Sequence, residues 1–365
     1  MCSAVIDAAG LQELVATLID REYRVVGPTL SDNAIVLTEL TSADELPRGW
    51  GVDVGPGHYR LRRRNDSALF GHSAGPQSWK QFLHPPRQRL WSSDATPTED
   101  IAKHAFIGVR ACDLAAIAVL DGVLGKGAHP DQGFVSRLAH VFVVAVNCTE
   151  PGGLCFCASM NTGPAVGAGY DLALTERISG EQCSYLVDVG SPGGAEVLAG
   201  LPHREAEDVE VASARADVAQ AAQHMGRAMP PGDLRELLIE SRESPHWAEV
   251  ASRCLTCGNC TMACPTCFCT SVEDVTDLTG DHAERWASWA SCFEFDFTFI
   301  HEGSVRQSAP SRYRHWITHK LGTWHDQFGT SGCVGCGRCI AWCPTGIDIT
   351  EEMNVLADLA EQHDE

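Results

Sequence analysis

The sequence predicts an α/β amino-terminal domain followed by a smaller, mainly α-helical domain organised around cysteine, and three observations predict it. Apolar strand-like runs alternate with helix-like stretches over the first two thirds of the chain. Two cysteine runs of identical spacing are confined to the last third. The 365 residues exceed what one core of ordinary size organises, so two domains, 1–235 and 236–365, are the simplest division.

The residues after Met1 read as an amphipathic helix, with Ile6, Leu11, Leu14, Val15 and Leu18 on one side and Asp7, Glu13 and Asp20 elsewhere. Strand-like runs follow at residues 34–40, 105–109, 141–146 and 185–189. Asp113 is a good N-cap for a helix over 114–124. Residues 190–194, Gly-Ser-Pro-Gly-Gly, read as a turn. Helices are expected over 209–229 and 233–241, split by Pro230, Pro231 and Gly232, and the domain boundary is placed there.

In the second domain Cys254, Cys257, Cys260 and Cys264 precede Pro265, and Cys333, Cys336, Cys339 and Cys343 precede Pro344 with the same spacing. This is the pattern that wraps two cubane [4Fe-4S] clusters. Three thiolates two residues apart fold round one corner of a cubane, and the fourth, stopped by proline, reaches the neighbouring cluster. The spacing therefore groups Cys254, Cys257 and Cys260 with Cys343, and Cys333, Cys336 and Cys339 with Cys264. Zinc also takes four thiolates, but its sites pair C-x2-C knuckles without a third cysteine two residues later. Gly258, Gly335 and Gly337 suit the cluster reading, because backbone N–H groups must approach the sulfurs closely. The insert 266–332 carries Trp286, Trp289, Phe293, Phe295, Phe297 and Phe299, then Arg306, Arg312, Arg314, His315, His319 and Lys320. Its length points to helices between the runs, hence an α-helical ferredoxin-like domain, and its rings read as core.

A third constellation lies upstream. Cys112 follows the strand-like FIGVR and Cys148 follows VFVVAVN, so parallel strands would bring both thiols to one carboxyl edge, where α/β sheets build their sites. The loop from Glu150 to Leu154 then delivers Cys155 and Cys157. Three readings stand: a third [4Fe-4S] cluster held by Cys112, Cys148, Cys155 and Cys157, zinc at the same ligands, or buried thiols acting as small hydrophobes. Cys267, Cys269 and Cys292 are read as packing residues, His319 as a surface or hydrogen-bonding residue, and Cys2 and Cys183 receive no role.

Composition bounds the rest. Seventeen cysteines, eight of them in the two runs, leave an odd remainder, a poor disulfide framework. There is no basic n-region with a continuous apolar stretch behind it and no apolar run of membrane-spanning length, so a cytoplasmic, reducing setting is expected. A net charge of −21 argues against nucleic acid as a partner and allows docking on basic protein surfaces. No G-x-G-x-x-G between a strand and a helix and no Walker A loop is present, so a dinucleotide fold of its own is unsupported. The glycine-rich stretch 163–169 reads as a loop, with phosphate or flavin contact as its alternative.

FIGVRACDLAAI, NCTEPGGLCFCASMNTGP, CLTCGNCTMACPTCFC, RYRHWITHK and CVGCGRCIAWCPTGIDI together resemble the beta subunit of cytosolic NAD(P)-linked [NiFe] hydrogenases, also called sulfhydrogenases. The iron-sulfur A subunit of anaerobic sulfite reductase is similar. The resemblance implies a complex with a large subunit holding the nickel-iron centre, a small cluster-bearing subunit and a flavoprotein that handles NAD(P)H. In it this chain would relay electrons and make no bond itself. A subunit that binds flavin or a thiol substrate, and a structural subunit whose clusters only stabilise the fold, are the alternatives.

Overall fold

The computed structural model describes residues 3–94, 101–180 and 182–364; Cys2 lies outside them. The chain opens with strand β1 (Ala4–Asp7), whose last residue caps helix Ala8–Asp20 by accepting from the Gly10 N–H. The apolar stripe expected of a single helix is thus shared: Ile6 enters the core from the strand, and Leu11, Leu14, Val15 and Leu18 enter it from the helix. Then come β2 (Arg24–Ser31), β3 (Ala34–Glu39), the hairpin β4 (Trp50–Gly55) and β5 (His58–Arg63), and β6 (Arg87–Ser92). Next are β7 (His104–Arg110), β8 (Val141–Val146), β9 (Leu172–Ser179), β10 (Gln182–Val189) and β11 (Arg204–Glu205).

Eight of these strands form one mixed sheet in the order β11, β1, β10, β9, β8, β7, β2, β3. Its middle is parallel, from β2 through β7 and β8 to β9, and both flanks are antiparallel. Strands β7 and β8 are near-continuous apolar runs because both faces are covered. On one face Leu14, Leu18, Ile107, Val144 and Leu174 share a core, and on the other Trp79, Phe106, Phe134 and Val143 share another. Gly108 sits at a bulge in β7 with φ +88°, a conformation that an L side chain rarely adopts.

Three boundaries differ from expectation. The helix after β7 is Ala111–Leu120 with Arg110 as its N-cap residue. Asp113 lies inside the first turn, where Arg338 draws it into an ion pair instead of a cap. Residues 190–194 are not a free turn: Pro192 occupies the first position of helix Pro192–Ala199, and Ser191 caps it by accepting from Gly194. The helix expected to reach 229 is Asp208–Gln223, because the chain then folds onto the 150s loop, where Gly226 lies too close to Gly153 to admit a Cβ.

The insert also departs from the helical expectation. Its first half is a hairpin, β12 (Thr270–Thr276) and β13 (Ala283–Trp289), and β13 pairs antiparallel with β6. Most of β12 is exposed, so period-2 burial was absent as a sequence signal. Helices appear only in its second half, at Ala309–Ile317 and Trp324–Phe328 with a π-turn between. Trp289 reaches back to donate to the His84 carbonyl at 3.0 Å. Residue 235 falls inside helix Leu234–Glu240, and Leu154, Phe156 and Met229 join Trp247, Tyr313 and Trp316 in one core. The last helix, Ile349–Asp364, is tied to helix His246–Arg253 by Glu352, which meets buried His246 at 2.7 Å and Arg253 at 2.8 Å.

Candidate iron-sulfur sites

Each cysteine run bends round its thiols by the same backbone device. Thr256 and Gly335, one residue before the second cysteine, have φ +53° and +66°; Gly258 and Gly337, one residue after it, have φ +76° and +74°. The second pair are the left-handed N-cap residues of the short helices Asn259–Ala263 and Arg338–Ala341. The turn aims N–H groups at sulfur, Thr256 donating to Cys254 Sγ at 3.3 Å and Gly335 to Cys333 Sγ at 3.5 Å, and past the second run Ile347 donates to Cys343 Sγ at 3.3 Å. Such donors favour the thiolate that a metal requires.

The thiols gather across the runs. Cys254, Cys257, Cys260 and Cys343 line one small apolar pocket with Cys339, Phe293 and Trp316. Burial, then the neighbouring thiolates Cys254, Cys343 and Cys257, push the Cys260 thiol up. The second group is deeper. Cys339 is pushed up by burial and then by Cys333, Cys336 and Cys264, so the fourth cysteine of the first run stands among the first three of the second. Lys320, 3% exposed, points its ammonium at this group, donating to Cys264 Sγ at 3.3 Å, Thr266 Oγ1 at 2.6 Å and the Gly332 carbonyl at 2.9 Å. Burial alone would lower the Lys320 ammonium, but Cys264, Cys267 and Cys333 outweigh it and hold it above the ordinary lysine value.

The parallel register pairs Arg110 with Val146, so Cys112 and Cys148 both leave the sheet at one carboxyl edge. Cys155 and Cys157 join them there: burial and the Cys148 thiolate push Cys155 up to about 11, and burial with Cys155 and Cys148 pushes Cys157 up to about 12. Cys112 is raised by burial, then by Asp113, Cys336 and Cys157. Buried Arg110 donates to Cys148 Sγ at 3.1 Å and to the Phe70 carbonyl at 3.0 Å. The loop is fastened to the second run, since Phe156 donates to the Gly335 carbonyl at 2.9 Å.

These residues fit an anionic, sulfur-ligated group in a specific respect. Arg338 is buried beside Cys336 and Asp113, 2.9 Å from the carboxylate, yet among the described residues its Nε and Nη1 find no oxygen or nitrogen acceptor and face the Cys336 sulfur. Buried donors left without an acceptor are costly, and an anionic group among the cysteines supplies one. Sequence alone assigns no role to Arg110, Lys320, Arg338 or Lys80, whose ammonium donates to the carbonyls of Cys264 and Cys267. Charged residues ordinarily face water, and only the adjacency of Arg110 and Arg338 to cysteine in sequence could have marked them.

The remaining cysteines pack. Cys292 lies in the aromatic core, and its thiol donates to Cys269, which holds Cys269 at about 7. Cys267 contacts Cys264. Cys183 packs in the sheet core 3.5 Å from Ser67 Oγ. His319 is half-buried, its ring 4.9 Å from that of Trp324. In the glycine-rich stretch, a Cβ on Gly163 would stand 3.1 Å from Cys157 Sγ and from Ala111, so this loop seals the third group.

Residues 253–347 match the family described as a 4Fe-4S dicluster domain, which makes the chain an iron-sulfur protein. Over 349 residues, 93% of this chain and 92% of the relative, it is 28% identical to the sulfhydrogenase 2 subunit beta of Pyrococcus furiosus. The chain is a relative of the sulfhydrogenase beta subunit across nearly its whole length, as its motifs imply. No solved structure matches it. No helix among the described residues is long and apolar enough to cross a membrane.

Proposed function

We propose that this chain is the electron-relaying iron-sulfur subunit of a cytoplasmic hydrogenase complex, standing between a [NiFe] hydrogenase large and small subunit pair and an NAD(P)-linked flavoprotein. The observation that carries the reading is the interleaving of the two cysteine runs, with Cys343 among the first run's thiols and Cys264 among the second's. Cys254, Cys257, Cys260 and Cys343 would hold one [4Fe-4S] cluster, and Cys333, Cys336, Cys339 and Cys264 the other. Cys112, Cys148, Cys155 and Cys157 would hold a third at the sheet edge. When bound, each cluster accepts and passes one electron. The chain's residues bury the thiols, donate N–H groups to sulfur and exclude water. The division into domains 1–235 and 236–365 follows the same logic: the sheet supplies the third site, and the dicluster region supplies the other two.

The test is iron and acid-labile sulfide analysis of the full chain, with EPR of the reduced protein. The reading expects about twelve iron atoms, four per cubane, and Cys155→Ser should remove about four while the two dicluster signals remain. About eight in both proteins returns the sheet-edge thiols to packing; none overturns the function.

A further inference from the structure

The cysteine sites differ in the fixed charge that faces them. The deep site has Lys320 Nζ 3.3 Å from Cys264 Sγ, and Arg338 beside Cys336, its charge offset in part by the Asp113 carboxylate 2.9 Å away. Both side chains are 3% exposed, so water screens them little. At the outer site Arg312, 9% exposed, acts on Cys254, with its Nη1 bonded to the Arg306 and Gln307 carbonyls at 3.3 Å and its Nε unpartnered, but among the described residues no cation donates to the sulfurs of Cys254, Cys257, Cys260 or Cys343. Cys257 is exposed to solvent.

We infer that Lys320 and Arg338 set the order in which the two dicluster sites fill: the site of Cys264, Cys333, Cys336 and Cys339 takes an electron before the site of Cys254, Cys257, Cys260 and Cys343. This rests on the proposed function. Reduction adds one electron and one negative charge without forming or breaking a bond. A buried ammonium and guanidinium stabilise that added charge, so they raise the reduction potential of the group beside them. Cys264 belongs to the first run in sequence and to the deep site in space, so Lys320 acts on the ligand that crosses between the runs. Electrons entering at the solvent-facing Cys257 side would run downhill into the interior.

The experiment is an EPR-monitored potentiometric titration of the full chain with dithionite as reductant. In Cys257→Ser, the lower of the two dicluster waves, which are those that survive in Cys155→Ser, should be the one perturbed. In Lys320→Gln, the wave of the deep site should fall by at least tenfold in its reduction equilibrium, about 59 mV for one electron. Lys320→Arg, which keeps the charge, should restore most of that. Lys320→Gln with full iron and unchanged waves overturns the inference, as does Cys257→Ser perturbing the higher of the two dicluster waves. If Lys320→Gln loses iron, the Cys257→Ser titration decides by itself. A chain without iron overturns the function and the order together, whereas a chain with iron and inverted waves overturns the order alone.

Discussion

The two cysteine runs are one backbone motif in two settings, and the difference separates what the motif needs from what its surroundings add. Position by position, Thr256 corresponds to Gly335, Gly258 to Gly337 and Asn259 to Arg338. The first run faces outward: Leu255, Cys257 and Asn259 are exposed. The second is covered by the 154–157 loop, so closely that a Cβ on Gly335 would lie 2.6 Å from Cys157 Cα, and one on Gly337 2.5 Å from the Leu154 carbonyl. The left-handed turns and the N–H bonds to sulfur are common to both and belong to the motif. The buried Arg338 and the close backbone contact with the 154–157 loop are features of the second run, and they join the dicluster region to the sheet edge.

The comparison breaks most sharply at Arg338 and Asn259. Arg338→Met leaves Asp113, 4% exposed, without its counter-charge. Removing one partner of a buried ion pair costs about 3–5 kcal/mol. At the equivalent exposed position, Asn259→Met should change stability by no more than about 0.5 kcal/mol. Denaturant unfolding of both variants, with iron content followed in parallel, checks this. Comparable losses in the two would mean that the runs are energetically alike and that the covering loop adds nothing.

How much of this was legible in the sequence follows from which features are local. The dicluster spacing is local, because a cubane corner needs thiols two residues apart and a proline stop. The sheet-edge gathering of Cys112 and Cys148 was legible because strand polarity fixes where the chain leaves a parallel sheet, and the register of β7 on β8 obeys it. The opening strand was hidden: four apolar-leaning residues before a helix continue the helical stripe well enough to pass for its first turn. The β12 and β13 hairpin was hidden for the opposite reason, since an exposed strand has no core face to impose alternation. The cations were illegible because Lys320 lies 56 residues from the Cys264 it serves. Nothing local distinguishes a buried lysine from a solvated one.

Gly335 sharpens the comparison at the next level of effect. Gly335→Ala places a side chain at φ +66° and drives its Cβ into the backbone of Phe156 and Cys157. Left-handed strain costs about 1–2 kcal/mol, and overpacking against backbone adds about 1–3 kcal/mol. Because the loop bears Cys155 and Cys157, the loss should appear first as faster alkylation of those two thiols and only then as global unfolding. Mass-spectrometric mapping of alkylated cysteines gives the order. Protection of Cys155 and Cys157 retained at the wild-type level, in a stably folded variant, would separate the loop from the second run.

The smallest effect, and the one that isolates the motif itself, is at Thr256. A β-branched residue at φ +53° is strained, and here no covering segment requires glycine or forbids it. Thr256 keeps the conformation because its N–H donates to Cys254 Sγ, a bond made by the backbone that any residue can make. Thr256→Gly therefore relieves strain and retains the bond. Against that stands glycine's greater freedom in the unfolded chain, which costs roughly 0.5–1 kcal/mol. The net gain should be at most about 1 kcal/mol, read as a small rise in the denaturant midpoint with iron content unchanged. A loss of stability in Thr256→Gly would mean that the threonine side chain itself holds the first run in shape, and that the two runs do not share one backbone solution.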